Sequence, residues 1–399
     1  MDIDVQQTSL VGPIASRAPG WAFPSIALTL AWRNLAQDRI RFATTLAGVA
    51  FSVVLMAVQL ALLLGFTATA SSLIDRSDAD FWIAAVGARN VDQSGDIAAS
   101  NRYRALSVPG VQSAGSLVVR FAPWRRPDGG TETVIVVGVD LEHPGLRPWN
   151  LVSGDAEDLR RPDGIMIDRL YAEKLGVRRL GDTVEIYGHR ARVVGFTQGI
   201  RTFTQAPYVF ASLKEAERLT NGSPETTTYL LVTAAPGADR TRLQAKLAAQ
   251  FPNLDAWSTS GFSWQTRFYW LFSTGAGGAL VLAAMLGLIV GIIIVAQTLY
   301  ASTMERISEF ATLRAMGAPS QYLNGIILRQ GLLSAILGYA AGLTIAQTIV
   351  HVSRDANAAL LLPLPLAVGL AVTTVAMCAG AAVTSIRRAV TAEPALVFK

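Results

Sequence analysis

The sequence predicts an α-helical membrane protein: four transmembrane helices plus a large α+β domain inserted between helices 1 and 2. Three observations predict it. First, the chain is 51% hydrophobic and only 16% charged, whereas a soluble domain carries about 25% charged residues. Second, four stretches lack Asp, Glu, Lys and Arg: 42–74, 268–304, 330–353 and 356–386. Each exceeds the roughly 20 residues a helix needs to cross a bilayer. Third, the segment 67–270 between the first two holds 23 of the 34 basic and 22 of the 29 acidic residues. That is chain enough for one or two folded domains.

Taken in order, residues 1–25 are polar and carry Pro13, Pro19 and Pro24, which reads as a tail. Residues 26–42 place Leu28, Trp32, Leu35 and Phe42 near one helical face and Arg33, Gln37 and Arg41 near another. The pattern fits a helix lying in the membrane interface, or more simply a basic flank to the first span. The first span covers 43–66. Ala68-Thr69-Ala70 resembles a signal-peptidase site, but the apolar run is too long and begins too late, so it reads as an uncleaved anchor.

The 67–270 insert mixes strand and helix signals. Strand-like runs are Ser116–Phe121, Thr133–Val139, Thr183–Tyr187, Ala191–Phe196 and Thr228–Val232. Gly188 between the third and fourth predicts a hairpin. Helices are expected at Arg169–Leu175, ended by Gly176, and at Asp239–Phe251, where Leu243, Leu247 and Phe251 share a face. Residues 71–79 are expected to extend span 1 outward as a stalk. The aromatic run 262–271 should do the same for span 2, since such rings suit a membrane–water interface.

The second span covers 271–300, a loop 301–329, the third span 330–350, a short loop 351–363, the fourth span 364–386 and a tail 387–399. A single near-continuous helix is expected from the aromatic stalk through span 2 to Met316, with Gly275-Ala276-Gly277-Gly278 as its weak point, which reads as a hinge or as close packing against span 1. Basic residues sit before span 1 (Arg33, Arg39, Arg41), between spans 2 and 3 (Arg306, Arg314, Arg329) and after span 4 (Arg387, Arg388, Lys399). By the positive-inside rule both termini and the 301–329 loop are cytoplasmic, and the insert is outside.

Composition also excludes chemistry. Cys378 is the single cysteine and lies in an apolar stretch, so no intramolecular disulfide or Cys-based metal site is possible. His143, His189 and His351 are too dispersed to suggest zinc. None of Lys174, Lys214, Lys246 or Lys399 follows a glycine, so the phosphate-binding-loop core is absent. No Gly-x-Ser-x-Gly occurs. No catalytic, cofactor or metal residue is expected, and the +5 net charge is explained by membrane flanks rather than nucleic acid.

The 300–323 loop carries the most specific signal. Glu305, Arg306, Glu309 and Arg314 lie on a helix running on from span 2, with Ile307, Phe310, Ala311 and Leu313 as its apolar side. Gly317 suits a left-handed cap, Pro319 stops continuation, and Ser320 can cap the next helix. The physics fits either a docking helix-turn-helix or a solvated turn. Here Glu309-Phe-Ala-Thr-Leu-Arg-Ala-Met-Gly317 resembles the signature of MacB/FtsX-type ABC transporter permeases. Leu180-Gly-Asp-Thr183, Arg192-Val-Val-Gly195 and the closing Thr391–Phe398 segment resemble further family blocks. Leu30–Leu35, Leu46–Phe51, the aromatic run before span 2 and Met377-Cys378 resemble the DevC-like subgroup of heterocyst-glycolipid-type exporters.

The resemblance covers essentially the whole chain, weakest over 85–160. It implies a large periplasmic α+β domain and residence in a bacterial inner membrane. It implies a cytoplasmic ABC ATPase subunit as partner, docking at Glu305, Glu309, Leu313, Arg314, Met316 and Gly317. It further implies a second copy of the chain, a periplasmic adaptor (membrane fusion) protein and an outer-membrane channel, with ATP-driven motion exporting a periplasmic substrate such as a lipid or glycolipid. A transmembrane regulator of a periplasmic enzyme and a lipoprotein-extracting permease are the rivals. Two small-residue pairs, Gly287 with Gly291 and Gly338 with Gly342, let helices pack closely, within the chain or between copies. Gln59, Gln297, Gln330 and Gln347 read as helix–helix hydrogen-bonders or pathway residues.

Overall fold

A computed structural model describes residues 39–202, 204, 206–305, 307–309, 312, 316–317, 319–353 and 359–391. The expected tail over 1–25, the interfacial helix up to 38 and the closing segment from 392 lie outside these residues. In chain order the elements are α1 (Arg39–Ala70), α2 (Ser72–Asp75), β1 (Phe81–Ala85), β2 (Ile97–Ala98), α3 (Asn101–Leu106), β3 (Val111–Arg125), β4 (Thr131–Val139), β5 (Leu151–Ser153), β6 (Gly164–Asp168), β7 (Thr183–Ile186), β8 (His189–Thr197) and β9 (Tyr208–Ser212). They continue with α4 (Leu213–Leu219), β10 (Thr226–Thr227), β11 (Tyr229–Ala234), α5 (Arg240–Gln250), β12 (Leu254–Ser258), α6 (Thr259–Phe272), α7 (Gly275–Met304), α8 (Ser320–Val352) and α9 (Leu364–Thr391).

Four stretches are long and apolar enough to cross a membrane: Phe42–Ala70, Gly275–Met304, Asn324–Val352 and Leu364–Val383. Proline punctuates them where chemistry allows. Pro319 precedes α8, and Pro365 sits in the first turn of α9, where its missing N–H costs nothing. The described residues fall into two compact units. One comprises Phe51–Gly291 with Ala341–Leu370; the other comprises the described residues up to Ala50, Ile292–Ala340 and those from Ala371.

The first unit holds the α+β domain. Its ten-stranded sheet has the order β12-β1-β11-β3-β4-β9-β6-β8-β5, with β7 paired to β3 and β8. Most neighbours are antiparallel; β4–β9 and β6–β8 are parallel. The long β3–β4 hairpin forms the centre, pairing Leu117 with Val139 through Arg125 with Thr131. Val134 to Val139 are buried on both faces, so β4 reads as a continuous apolar run rather than an alternating one. The β7–β8 hairpin is as expected. Tyr187 and Gly188 both have positive φ (51° and 82°), the geometry of a two-residue turn that follows strand twist. Helix α5 is also as expected: Asp239 caps Thr241 and Arg242, and Leu243, Leu247 and Phe251 are buried.

Three expectations differ. The helix expected over 169–175 is a single 3-10 turn, Arg169–Tyr171. The buried Asp168 carboxylate accepts from Leu170 N, Thr197 Oγ1, Gly199 N and Ile200 N, which fixes a tight turn there instead. The stalk expected over 71–79 stops at Asp75, because Ser71 bonds Asp75 and Ser77 bonds the Ile74 carbonyl, closing the helix locally. The single helix expected over 262–316 is divided: α6 ends at Phe272, α7 starts at Gly275 and ends at Met304.

Candidate functional site

Of the sequence-predicted docking residues, Glu305 lies in the turn after α7 and Glu309 in the short helical stretch beyond it, and both are exposed. Met316 is 64% exposed, beside Gly317 at φ +91°. That left-handed φ is one a Cβ disfavours, which accounts for glycine at the turn before α8. Leu313 and Arg314 lie outside the described residues. The described members are therefore two exposed carboxylates and an exposed thioether, the last beside the glycine turn.

The small-residue pairs face other helices of the same chain. In the first unit, a Cβ on Gly287 would come 3.0 Å from the Gln59 side chain, and one on Gly291 would come 3.1 Å from Met56. In the second unit, a Cβ on Gly338 would lie 2.5 Å from Val49, and one on Gly48 2.7 Å from Thr298. Gly342 is buried.

The densest side-chain chemistry lies where α1 and α6 meet the domain, within the first unit. Sequence reasoning had not singled it out. Just past α1, Leu73 and Ile74 on α2 are fully buried in the same core as Trp82 of β1. From the other side, α6 inserts Phe262 into that core. Its ring centroid is 5.6 Å from Trp82, 5.8 Å from Tyr229 and 6.2 Å from Trp257. Aromatic pairs at such separations add to the burial of their surfaces. Both membrane extensions thus end in one core.

A polar clasp ties them beside it. Asp75 accepts from Ser263 Oγ (2.6 Å), Ser71 Oγ (2.7 Å) and Arg267 (2.5 Å). Arg267 Nε also donates to Ser71 Oγ at 2.8 Å. Asp75 and Arg267 side chains are each 36% exposed, so the ion pair contributes about 1 kcal/mol or less after solvent screening. The clasp fixes geometry, while the aromatic burial supplies most of the energy. Arg267 is the lone charge in an aromatic run, and Asp75 is the first charge after span 1. Those were the signals available in the sequence.

The break between α6 and α7 is a bonded elbow rather than a loose hinge. Thr274 Oγ1 donates to the Trp270 carbonyl at 2.6 Å, and accepts from Gly277 N at 3.1 Å. Its carbonyl accepts from Gly278 N at 3.1 Å. A Cβ on Gly277 would collide with the Trp270 carbonyl and the Leu271 backbone. Gly277, in the first turn of α7, therefore permits the close approach, and the break itself falls at Ser273–Thr274, just before the glycine cluster. Trp270 packs on Phe66 and Ala70 at the end of α1.

A buried carboxyl, Asp92, meets two buried tyrosines of this core. Tyr208 O–H donates to Asp92 Oδ1 at 3.2 Å, and Tyr229 O–H donates to the Asn90 and Val91 carbonyls. Burial pushes the Asp92 carboxyl up to about 6, against the Tyr208 hydrogen bond that lowers it. Burial and the neighbouring Asp92 push the Tyr208 phenol well up, so it stays a donor. Among the described residues no group of three or more His, Cys, Asp or Glu side chains could hold a metal.

With this geometry in view, comparison with known proteins is informative. A MacB-like periplasmic core domain matches residues 42–250, and an FtsX-like permease C-terminal region matches 281–394. The uncharacterized ABC transporter permease Rv0072 of Mycobacterium tuberculosis is 26% identical over 298 residues, 74% of this chain and 77% of that one. The uncharacterized ABC transporter permease Mb2592 of Mycobacterium bovis is 24% identical over 379 residues, 92% of this chain and 96% of that one. The crystal structure of the periplasmic region of MacB from Actinobacillus actinomycetemcomitans aligns with a TM-score of 0.33 at 11% identity, over 45% of this chain and 88% of that one.

Proposed function

Because this chain belongs to the ABC transporter permeases of the MacB/FtsX type, we propose that it is the membrane subunit of a tripartite exporter of the DevC-like kind. In this reading a separate cytoplasmic ATPase hydrolyses ATP and docks on the 301–329 loop through Glu305, Glu309, Leu313, Arg314, Met316 and Gly317. The chain itself performs no hydrolysis. It works as a pair of copies in a bacterial inner membrane, both termini cytoplasmic, with a periplasmic adaptor and an outer-membrane channel beyond. Closure of the ATPase pair displaces spans 1 and 2, the periplasmic domain follows, and a lipid or glycolipid is driven outward from the periplasmic side.

The observation that carries the reading is the shared core. Leu73 and Ile74 beyond span 1 and Phe262 before span 2 are buried together around Trp82, with Asp75 and Arg267 clasped beside them. Displacing either span's outer end then has to displace the domain or break that core. The observation on the other side is the exposed Glu309 and Met316. An exposed carboxylate and an exposed thioether suit a partner chain, where a mispaired charge costs several kcal/mol.

The test separates docking from transmission. Glu309→Arg and Leu313→Asp are expected to reduce recovery of the co-expressed ATPase subunit at least tenfold while membrane insertion stays normal. Asp75→Asn with Arg267→Gln is expected to leave recovery unchanged and lower export per ATP hydrolysed in reconstituted complexes. Unchanged recovery in both loop variants would overturn the docking assignment, and export still proportional to turnover in the clasp variant would overturn the transmission route.

A further inference from the structure

A cavity of about 520 Å³ opens in the first unit at the outer ends of the spans, a size in the usual range of ligand sites. Its apolar wall comes from Leu64 on α1, Val350 on α8 and the extended segment 359–363 that leads into α9. Two cations face it from different elements: Arg267 on α6, and Arg201 in the connection between β8 and β9.

The cavity is built by a specific contact. Leu361 N donates to the Ala61 carbonyl of α1 at 3.0 Å. A Cβ on Gly65 would collide with the Ala359 carbonyl. Glycine at 65 therefore lets the 359–363 segment lie directly on span 1, and that segment brings Leu361 and Pro363 to the wall. Because α1 and α8 are long and apolar enough to cross a membrane, a lipid entering this cavity would meet the apolar wall with its acyl chains and the two arginines with its headgroup. Arg267 spends its Nε and one Nη2 donor on Ser71 and Asp75, and a guanidinium carries five N–H donors. Planar, forked donors of this kind suit phosphate better than an ammonium would.

We propose that this cavity binds one anionic phospholipid-like amphiphile from the outer leaflet, acyl chains against Leu64 and Val350 and the phosphate between Arg201 and Arg267. Binding stands on the cavity alone. That the bound lipid class is the transported one rests on the exporter reading above, and the experiment keeps the two apart.

The full chain is purified in detergent and titrated with a fluorescent phosphatidylglycerol, a matched phosphatidylcholine and inorganic phosphate as competitor. Phosphatidylglycerol is expected to saturate one site with about tenfold preference over phosphatidylcholine, whose choline cation offsets its phosphate beside two arginines. Arg201→Gln should remove about tenfold of the affinity for phosphatidylglycerol and weaken phosphatidylcholine by less, so that the preference shrinks. Ala68→Trp, which lines the same cavity, should weaken both lipids; Thr67→Trp serves the same purpose should Ala68→Trp fold poorly. Inorganic phosphate should not displace the lipid. Equal affinity for the two lipids, wild-type binding by Arg201→Gln, or displacement by phosphate would each overturn the site. Export by Arg201→Gln in the reconstituted complex is the separate arm: normal export with lost lipid binding would leave the site standing and refute its identification with the substrate.

Discussion

The two ends of the span formed by α7 are built on opposite principles. Before its first residue, Thr274 is bonded to both flanking helices, Gly277 admits a backbone approach no side chain would allow, and α6 is anchored through Phe262, Arg267 and Trp270. After its last residue, Glu305, Glu309 and Met316 are exposed, Met316 beside the left-handed Gly317. The first end is specified by many simultaneous contacts within the chain. The second leaves two carboxylates and a flexible thioether exposed. An exporter subunit of the kind proposed requires an asymmetry of this sort: adaptable recognition at one end and little slack at the other.

The comparison breaks most visibly at Phe262. Phe262→Ala is expected to destabilise the domain by about 3–5 kcal/mol, the usual cost of emptying a buried aromatic site, read by urea unfolding of the full chain in micelles followed by tryptophan fluorescence. A loss under 1 kcal/mol would mean that α6 is not part of the core. Asp92 gives the next largest effect. Its folded value near 6 lies above the ordinary 3.8. Between those pH values the folded protein holds a proton that the unfolded chain has lost, so stability falls as pH rises through that window and is flat above it. The full loss is about 3 kcal/mol. Asp92→Asn, still able to accept from Tyr208, should abolish the slope and raise stability at pH 8; an unchanged slope would place the titration elsewhere.

A smaller effect is expected at the clasp. A double-mutant cycle on Asp75→Asn and Arg267→Gln should give a coupling of about 1 kcal/mol, as for a half-exposed pair within a network. The smallest effect on the domain is expected at the other end. Gly317→Ala strains a left-handed turn by about 1 kcal/mol, yet the domain's unfolding midpoint should not move. A shift there as large as that of the clasp variants would erase the contrast between the two ends.

Much of the architecture was legible from the sequence, because apolar length and charge exclusion are one-dimensional signals. The four spans, the inserted domain, the Gly188 hairpin and the helix capped by Asp239 follow from composition, turn chemistry and periodicity. The junction was not legible. Asp75 and Arg267 are separated by nearly the whole insert, so only the pairing of β1 with β12 brings their helices together. The elbow was misread for a related reason. Helix propensity marks Gly275 to Gly278 as weak helix, but the need for glycine at 277 comes from the Trp270 carbonyl folding back against it. Strands β1, β6, β9 and β12 were missed because each is only five residues long and shows no clean apolar–polar alternation, although Pro162-Asp163 and Pro252-Asn253 mark turns just before β6 and β12.

The central claim is that both membrane extensions and the domain core behave as one cooperative body. Amide hydrogen exchange of the full chain in lipid nanodiscs tests it most directly. The protection of β1 (Phe81–Ala85) and of α6 (Thr259–Phe272) should report one opening free energy, and Phe262→Ala should lower both by the same amount. If α6 exchanges as an independent helix while β1 keeps its wild-type protection in that variant, the extensions are not joined to the domain and the account fails.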